Sequence, residues 1–372
     1  MDAMASRVLL VSRVLVSLGR VVGVFGAAVV VALLIGESLV RGFSPQPVSW
    51  LNVYAEGERL PFELAPGARQ AVDTGETRWK IFVGEQGFRV ASADGPAEPI
   101  HSYLLGIGDS FAFGHGVDYE QTFFHLGETG GGEIAIRNLA VPGYGPREYR
   151  MLLEQYIDSP AVRGVIVATF LGNDFHDTIW ENRLPVDEGV LGGDGGIKSW
   201  AKTSSHLYRL FAGVAHGIGA TGGSRDLGPG LDVIRRSAWN EDLLSRAKAA
   251  YRAEFLRMRD IVRDHSIPLL VVILPPRAAV DDAVLAQAIE LGELAPGDWD
   301  RDAATAEARG ILRDLAINYI DTTAALRRVD EPLYFEFDGH FRPAANLAVA
   351  ELLRPELAAL AMRPQATELA RR

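Results

Sequence analysis

Serine, histidine and aspartate side chains can form a proton relay when a fold brings them together, and this 372-residue chain carries one widely spaced set. Ser110 stands in LLGIGDSFAFGHG, residues 104–116, where an apolar run gives way to Gly-Asp-Ser and an aromatic, glycine-rich loop. A serine there is either a nucleophile or the cap of the next helix, because serine also satisfies the free N–H groups at helix starts. Use as a nucleophile requires a base, a group that orients the base, and donors for an oxyanion. His340, in YFEFDGHFRP (334–343), has the chemistry of the base, and Asp338, two positions earlier, that of the orienting carboxylate. Asn173, in LGNDFHD (171–177), offers a neutral, directional amide to an oxyanion, or an Asx turn. Gly143, in NLAVPGYGP (138–146), lets a backbone N–H approach a substrate, or turns the chain between Pro142 and Pro146. An Asp-x-His pair can also bind a metal, with His176 and Asp177 as further ligands, but no established ligand spacing is present.

These residues must be delivered by regular elements, and the hydrophobic pattern supplies them. SYLLGIG (102–108), EIAIRNLAV (133–141), VRGVIVATFLG (162–172), SIPLLVVILPP (266–276) and AINYIDT (316–322) read as buried strands. Helices are predicted at 120–128, 146–158, 239–264, 301–315 and 343–354; Leu243, Leu244, Ala247, Tyr251, Phe255, Met258 and Val262 give the longest one an amphipathic face. Strands alternating with helices imply an α/β domain with a mainly parallel sheet, whose ligands sit beyond the carboxyl ends of the strands. Ser110, Gly143 and Asn173 each follow a predicted strand. Residues 42–100 hold strand-like TRWKIFVG and QGFRVAS with no evident chemistry, and Trp50, Tyr54 and Phe62 read as packing anchors. Residues 181–238 form a long insertion with a helical middle and glycine-rich edges, a candidate lid.

Composition narrows the function classes. The formal net charge of −11 disfavours nucleic-acid partners, and the absence of cysteine excludes disulfides, a thiol nucleophile and thiolate metal sites. IGDSFAFGHG lacks the spacing of a dinucleotide or phosphate loop, so no cofactor is expected. Near the N-terminus, Arg7, Arg13 and Arg20 precede the uncharged run VVGVFGAAVVVALLIG, residues 21–36. This pattern predicts an uncleaved signal anchor with residues 1–20 cytoplasmic and the rest outside the inner membrane. The expected organisation is therefore a cytoplasmic 1–20, a transmembrane 21–41, a linker and small β-rich lead-in at 42–100, a domain at 101–358 interrupted by 181–238, and a tail at 359–372.

Gly108-Asp109-Ser110, Gly143, Gly172-Asn173-Asp174 and Asp338-Gly339-His340, in this order, resemble the GDSL-like esterases of the SGNH hydrolase superfamily, over roughly residues 100–355. The anchor, the GFRV stretch at 87–90 and DGHFRP also look like a bacterial membrane-anchored branch of that superfamily. The resemblance implies a three-layer α/β/α, flavodoxin-like fold. It implies Ser110 as nucleophile, His340 as base and then acid, and Asp338 as its orienter. The Ser110 and Gly143 N–H groups and the Asn173 side chain would form the oxyanion hole. The implied activity is carboxylic ester hydrolysis on a glycan or lipid O-acyl ester, or O-acetyl transfer to an envelope or exported polysaccharide; a non-catalytic envelope binding protein is the remaining class. Two departures stand out. Many members place the acid three positions before the histidine, which here is Phe337, so that Glu336 is an alternative orienter; and Ala345 replaces a common glycine.

Overall fold

A sheet whose inner strands are apolar along their whole length must be covered on both faces. Val162–Phe170 comes close to this, with Arg163 its one charged residue: every residue from Gly164 to Phe170 is buried. The computed structural model describes residues 2–44, 46, 50–93, 102–128, 135–180, 184–192, 196, 200–201, 204–219 and 230–361. The chain divides into two units, Met1–Val48 with Asp194–Gly223, and Ser49–Gly193 with Ser224–Arg372.

The larger unit is built on an eight-stranded sheet: β1 (Arg69–Asp73), β2 (Arg78–Val83), β3 (Arg89–Val90), β4 (Tyr103–Ile107), β5 (Ala135–Asn138), β6 (Val162–Phe170), β7 (Leu269–Leu274) and β8 (Asn318–Asp321). Their spatial order is β8-β7-β6-β4-β5-β3-β2-β1. The five strands expected from the sequence, β4 to β8, pair in parallel. Counted within that set, the order is 2-1-3-4-5, the flavodoxin-like arrangement. Helices Pro146–Tyr156, Asp242–Asp264 and Ala303–Asp314 pack together in one layer, and Phe123–Glu128, Thr323–Leu326 and Pro343–Ala361 in the other. The three-layer α/β/α fold expected from the sequence is thus present. The lead-in is more than an appendage, because β1, β2 and β3 extend the main sheet antiparallel beyond β5. Tyr54 and Phe62 are buried as expected of packing anchors, and Ala345 is buried in the last helix.

The smaller unit holds the long helix Asp2–Phe43. Within it Arg20–Phe43 has a mean hydropathy of 2.2 and no buried share. Its 24 residues extend about 36 Å, against a hydrocarbon thickness of about 30 Å, so the helix is long and apolar enough to cross a membrane. The helical middle of the insertion is His206–Gly219. Its first turn is capped by the Glu37 carboxylate, which accepts from the Ser205 hydroxyl at 2.8 Å and from the backbone N–H of His206 (3.0 Å) and Leu207 (2.9 Å). Much of the remaining insertion, and residues 362–372 of the expected tail, lie outside the described residues.

Candidate active site

Ser110 follows β4 and opens the short helix Ser110–Phe113. The capping role that a serine could have taken belongs to its neighbour: Asp109 Oδ1 accepts from the Phe111 N–H at 2.9 Å. The Ser110 side chain is therefore left for another partner. Its Oγ lies 2.7 Å from Nε2 of His340, and His340 Nδ1 lies 2.6 Å from Oδ1 of Asp338. An ionised carboxylate only accepts, so the Asp338 contact puts the imidazole proton on Nδ1 and leaves Nε2 to accept from the serine.

A tight hairpin explains how the short Asp-x-His spacing works. Tyr334 and Phe341 form a β-bridge, the Phe335 N–H donates to the His340 carbonyl (2.9 Å), and the Gly339 N–H to the Phe335 carbonyl (3.1 Å). The Glu76 carboxylate at the β1–β2 turn accepts from the Phe337 N–H at 3.0 Å and from the Glu336 N–H. Asp338 and His340 thus project from a turn held at both ends. The carboxylate that meets His340 is that of Asp338, not Glu336.

Gly143 and Asn173 belong to loops beyond β5 and β6, the two neighbours of β4. After β5 the chain continues alongside the Ser110 loop, with the Val141 N–H donating to the Gly108 carbonyl at 3.1 Å. Gly143 has φ of 92°, a left-handed conformation that favours glycine, and it is exposed. A Cβ on Gly145 would approach Cβ of Asp177 to 2.7 Å, which places the Gly143 loop against the helix that carries Asn173. Asn173 Nδ2 donates to Asp177 Oδ2 at 2.6 Å. This orients the amide; its Oδ1 is buried without a partner.

The chain shows low-identity likenesses to solved structures. A member of the lipolytic protein G-D-S-L family from Veillonella parvula is 9% identical, covering 71% of this chain and 100% of its own, at a TM-score of 0.36. A GDSL-like lipase from Bacteroides thetaiotaomicron is 9% identical, covering 71% and 92%, at 0.36. A catalytic mutant of an acetylxylan esterase from Geobacillus stearothermophilus is 13% identical, covering 73% and 100%, at 0.36. No family model and no curated protein matches the chain. At such scores the likenesses are distant, and the chemistry of the site follows from its own geometry.

Three further groups converge here: His115 and Arg89, to which the sequence assigns no role, and Asp177, which it offers only as a metal ligand. His115, buried in the Ser110 loop, places Nε2 at 3.2 Å from the second Asp338 oxygen. Asp177 holds Asn173. Arg89 of β3 is fully buried and donates to the carbonyls of Phe113, Gly114 (2.8 Å) and Val117 (2.6 Å), tying down the loop that begins at Ser110. Among the described residues, His115, Asp338 and His340 are the one group with ligand atoms close enough for a metal, within 4.8 Å of one another. His340 and Asp338 are already engaged in the relay described above. His176 and Asp177 take other partners, Asp232 (2.8 Å) and Asn173.

Burial and charge shape the titration of the site. Burial alone would raise Asp338, but hydrogen bonds from His115 and His340 outweigh it and hold the carboxyl well below the usual range. Beneath the serine the opposite holds. Burial raises Asp109 to about 6, and burial with the charges of Asp109 and Glu148 raises Asp177 to about 7; Asp174 is also raised, first by burial. A carboxyl raised in the folded state contributes stability that is complete below its unfolded value, near 4, and is lost as pH rises through its folded value. Asp338, being depressed, contributes above pH near 4 and loses that contribution only in stronger acid. The melting temperature is accordingly expected to fall as pH rises from about 4.5 to about 8. Asp177→Asn should flatten this slope, and an unchanged slope would contradict the assignment.

Proposed function

We propose that the chain is a serine ester hydrolase of the GDSL/SGNH type that cleaves a carbohydrate or lipid O-acyl ester through an acyl-serine intermediate. The observation that carries this reading is the unbroken relay from Ser110 Oγ to His340 Nε2 (2.7 Å) and from His340 Nδ1 to Asp338 Oδ1 (2.6 Å). In the first step the Ser110 oxygen attacks the ester carbonyl carbon and its proton passes to His340 Nε2. Asp338, held ionised, stabilises the imidazolium that forms. The carbonyl oxygen, now an oxyanion, is met by the Ser110 and Gly143 N–H groups and by Asn173 Nδ2. His340 then returns its proton to the departing alcohol, and the C–O bond breaks. Water, giving a proton to the same imidazole, attacks the acyl-serine; His340 returns that proton to Ser110 Oγ as the Oγ–acyl bond breaks, and the acid is released. A sugar hydroxyl in place of that water would make the same intermediate an acyl donor.

The arginines before the apolar helix and its length support an anchored protein with this unit outside the membrane. Residues 45–372 should then be released from membranes without detergent, while the full chain should not.

p-Nitrophenyl esters from acetyl to longer acyl chains test the activity. Asn173→Ala is expected to lower kcat by about 100- to 1000-fold, or about 3 kcal/mol, as loss of one oxyanion donor does elsewhere. Wild-type turnover in this variant would remove Asn173 from the oxyanion hole. Acetylated polysaccharide with a sugar acceptor separates hydrolysis from transfer.

A further inference from the structure

We propose that His115 is a positioning residue for this site: its imidazole holds one oxygen of Asp338 so that the other stays aimed at His340. The inference rests on the reading of Ser110, His340 and Asp338 as the reacting machinery.

The two oxygens of Asp338 have separate holders. Oδ1 receives His340 Nδ1 at 2.6 Å, and Oδ2 receives His115 Nε2 at 3.2 Å. With only Gly339 between Asp338 and His340, the hairpin gives Oδ1 a weak backbone donor, the His340 N–H at 3.4 Å, and the charge on Oδ2 is met from across the site. A carboxylate held by one oxygen can turn about its Cβ–Cγ bond. The second imidazole fixes that torsion.

His115 is itself held firmly. Its N–H donates to the Ser110 carbonyl at 2.9 Å, and it lies between two left-handed glycines, Gly114 (φ 84°) and Gly116 (φ 91°). Its ring lies 5.0 Å from that of Trp79 and 4.4 Å from that of His340. One short loop therefore carries both the nucleophile and the holder of the acid.

The chemistry of the ring fits the task. Asp338 needs a donor, which fixes the neutral His115 tautomer with its proton on Nε2 and leaves Nδ1 bare. That Nδ1 is buried without a partner. A phenylalanine would fill the same space without orphaning a nitrogen, so the space alone does not call for histidine. Burial, together with the charge of His340, pushes the His115 pKa down, which keeps the ring a neutral donor when His340 becomes cationic. The groups around it are Asp338, His340, Trp79 and, at longer range, Arg89.

The test uses the full-length protein in detergent with p-nitrophenyl acetate. His115→Phe keeps an aromatic plate but removes the donor; it should lower kcat by about 10- to 100-fold, with KM within about twofold. His115→Gln, whose amide can still donate, should recover most of the loss. In an Asp338→Asn background, His115→Phe should cost nothing further, because its effect passes through that carboxylate. His115→Leu serves the same comparison if the Phe variant does not fold. Equal fold-losses in the wild-type and Asp338→Asn backgrounds would overturn the proposal, as would a folded Gln variant no better than Phe. Full activity of Ser110→Ala would instead overturn the reading of the site on which it rests.

Discussion

Ser110→Ala is expected to lower kcat for short-chain esters by about 10,000-fold or more while leaving the melting temperature near that of the wild type. Without Oγ no acyl-enzyme can form. Water must then attack the bound ester directly, aided only by the oxyanion donors and by binding. The side chain is not the cap of its helix, since Asp109 holds the Phe111 N–H, so its removal costs little structure. His340→Ala should fall in the same range, because a serine without its base is a poor nucleophile at neutral pH. The double variant should be about as slow as either single one, since the two groups act as a unit. A Ser110→Ala protein with more than a few per cent of wild-type turnover would contradict the mechanism.

The second large effect is on stability and comes from outside the reacting groups. Arg89→Met should destabilise the protein by about 3 kcal/mol, at roughly 1 kcal/mol or more for each charged donor lost by the buried Phe113, Gly114 and Val117 carbonyls, although Gly114 keeps the Val117 N–H at 3.3 Å. In a domain of this size that corresponds to a fall in melting temperature of roughly 5–10 °C. Burial pushes the Arg89 pKa down to about 10, so the guanidinium remains charged at neutral pH, and it also lies 4.6 Å from the centre of the Phe113 ring. Arg89→Lys should not recover the loss, because an ammonium cannot present the planar set of donors that reaches Phe113, Gly114 and Val117 together. Thermal unfolding of the two variants checks this, and a melting temperature within 1 °C or so of wild type in the Met variant would contradict it.

Arg89 also marks the boundary of what the sequence alone reveals. The parallel core was legible because buried strands announce themselves as continuous β-branched runs. VRGVIVATFLG and SIPLLVVILPP overshoot the observed β6 and β7 by only two or three residues at the ends. TRWKIFVG was legible as a strand from its alternation, and Trp79, Ile81 and Val83 do face inward. Its place in the main sheet was not, because antiparallel pairing at an edge is decided by non-local contacts that leave no local period. Arg89 lies in the GFRV stretch that carries part of the family resemblance, but only the fold shows that its side chain ends among carbonyls of the Ser110 loop.

The site divides along similar lines. Ser110, His340 and Asp338 could be singled out by residue type and by position relative to strands and the last helix. The short Asp-x-His spacing left two candidate orienters, and the hairpin at Tyr334–Phe341 selects Asp338. His115 stood in plain view, one residue from the end of LLGIGDSFAFGHG. No spacing rule relates it to Asp338, and a histidine flanked by glycines carries no local signal of what it will touch. Asp177 resembled a metal ligand beside His176, whereas its partner is the Asn173 amide one turn earlier on the same helix.

The central claim is that the Ser110 hydroxyl is made nucleophilic by the imidazole 2.7 Å away. Covalent labelling of the full-length protein with a fluorophosphonate, followed by peptide mass mapping, tests it most directly. One phosphonyl group should be found on Ser110, and labelling should disappear in folded His340→Ala. An adduct on another residue, or no adduct on folded wild-type protein, would contradict the account.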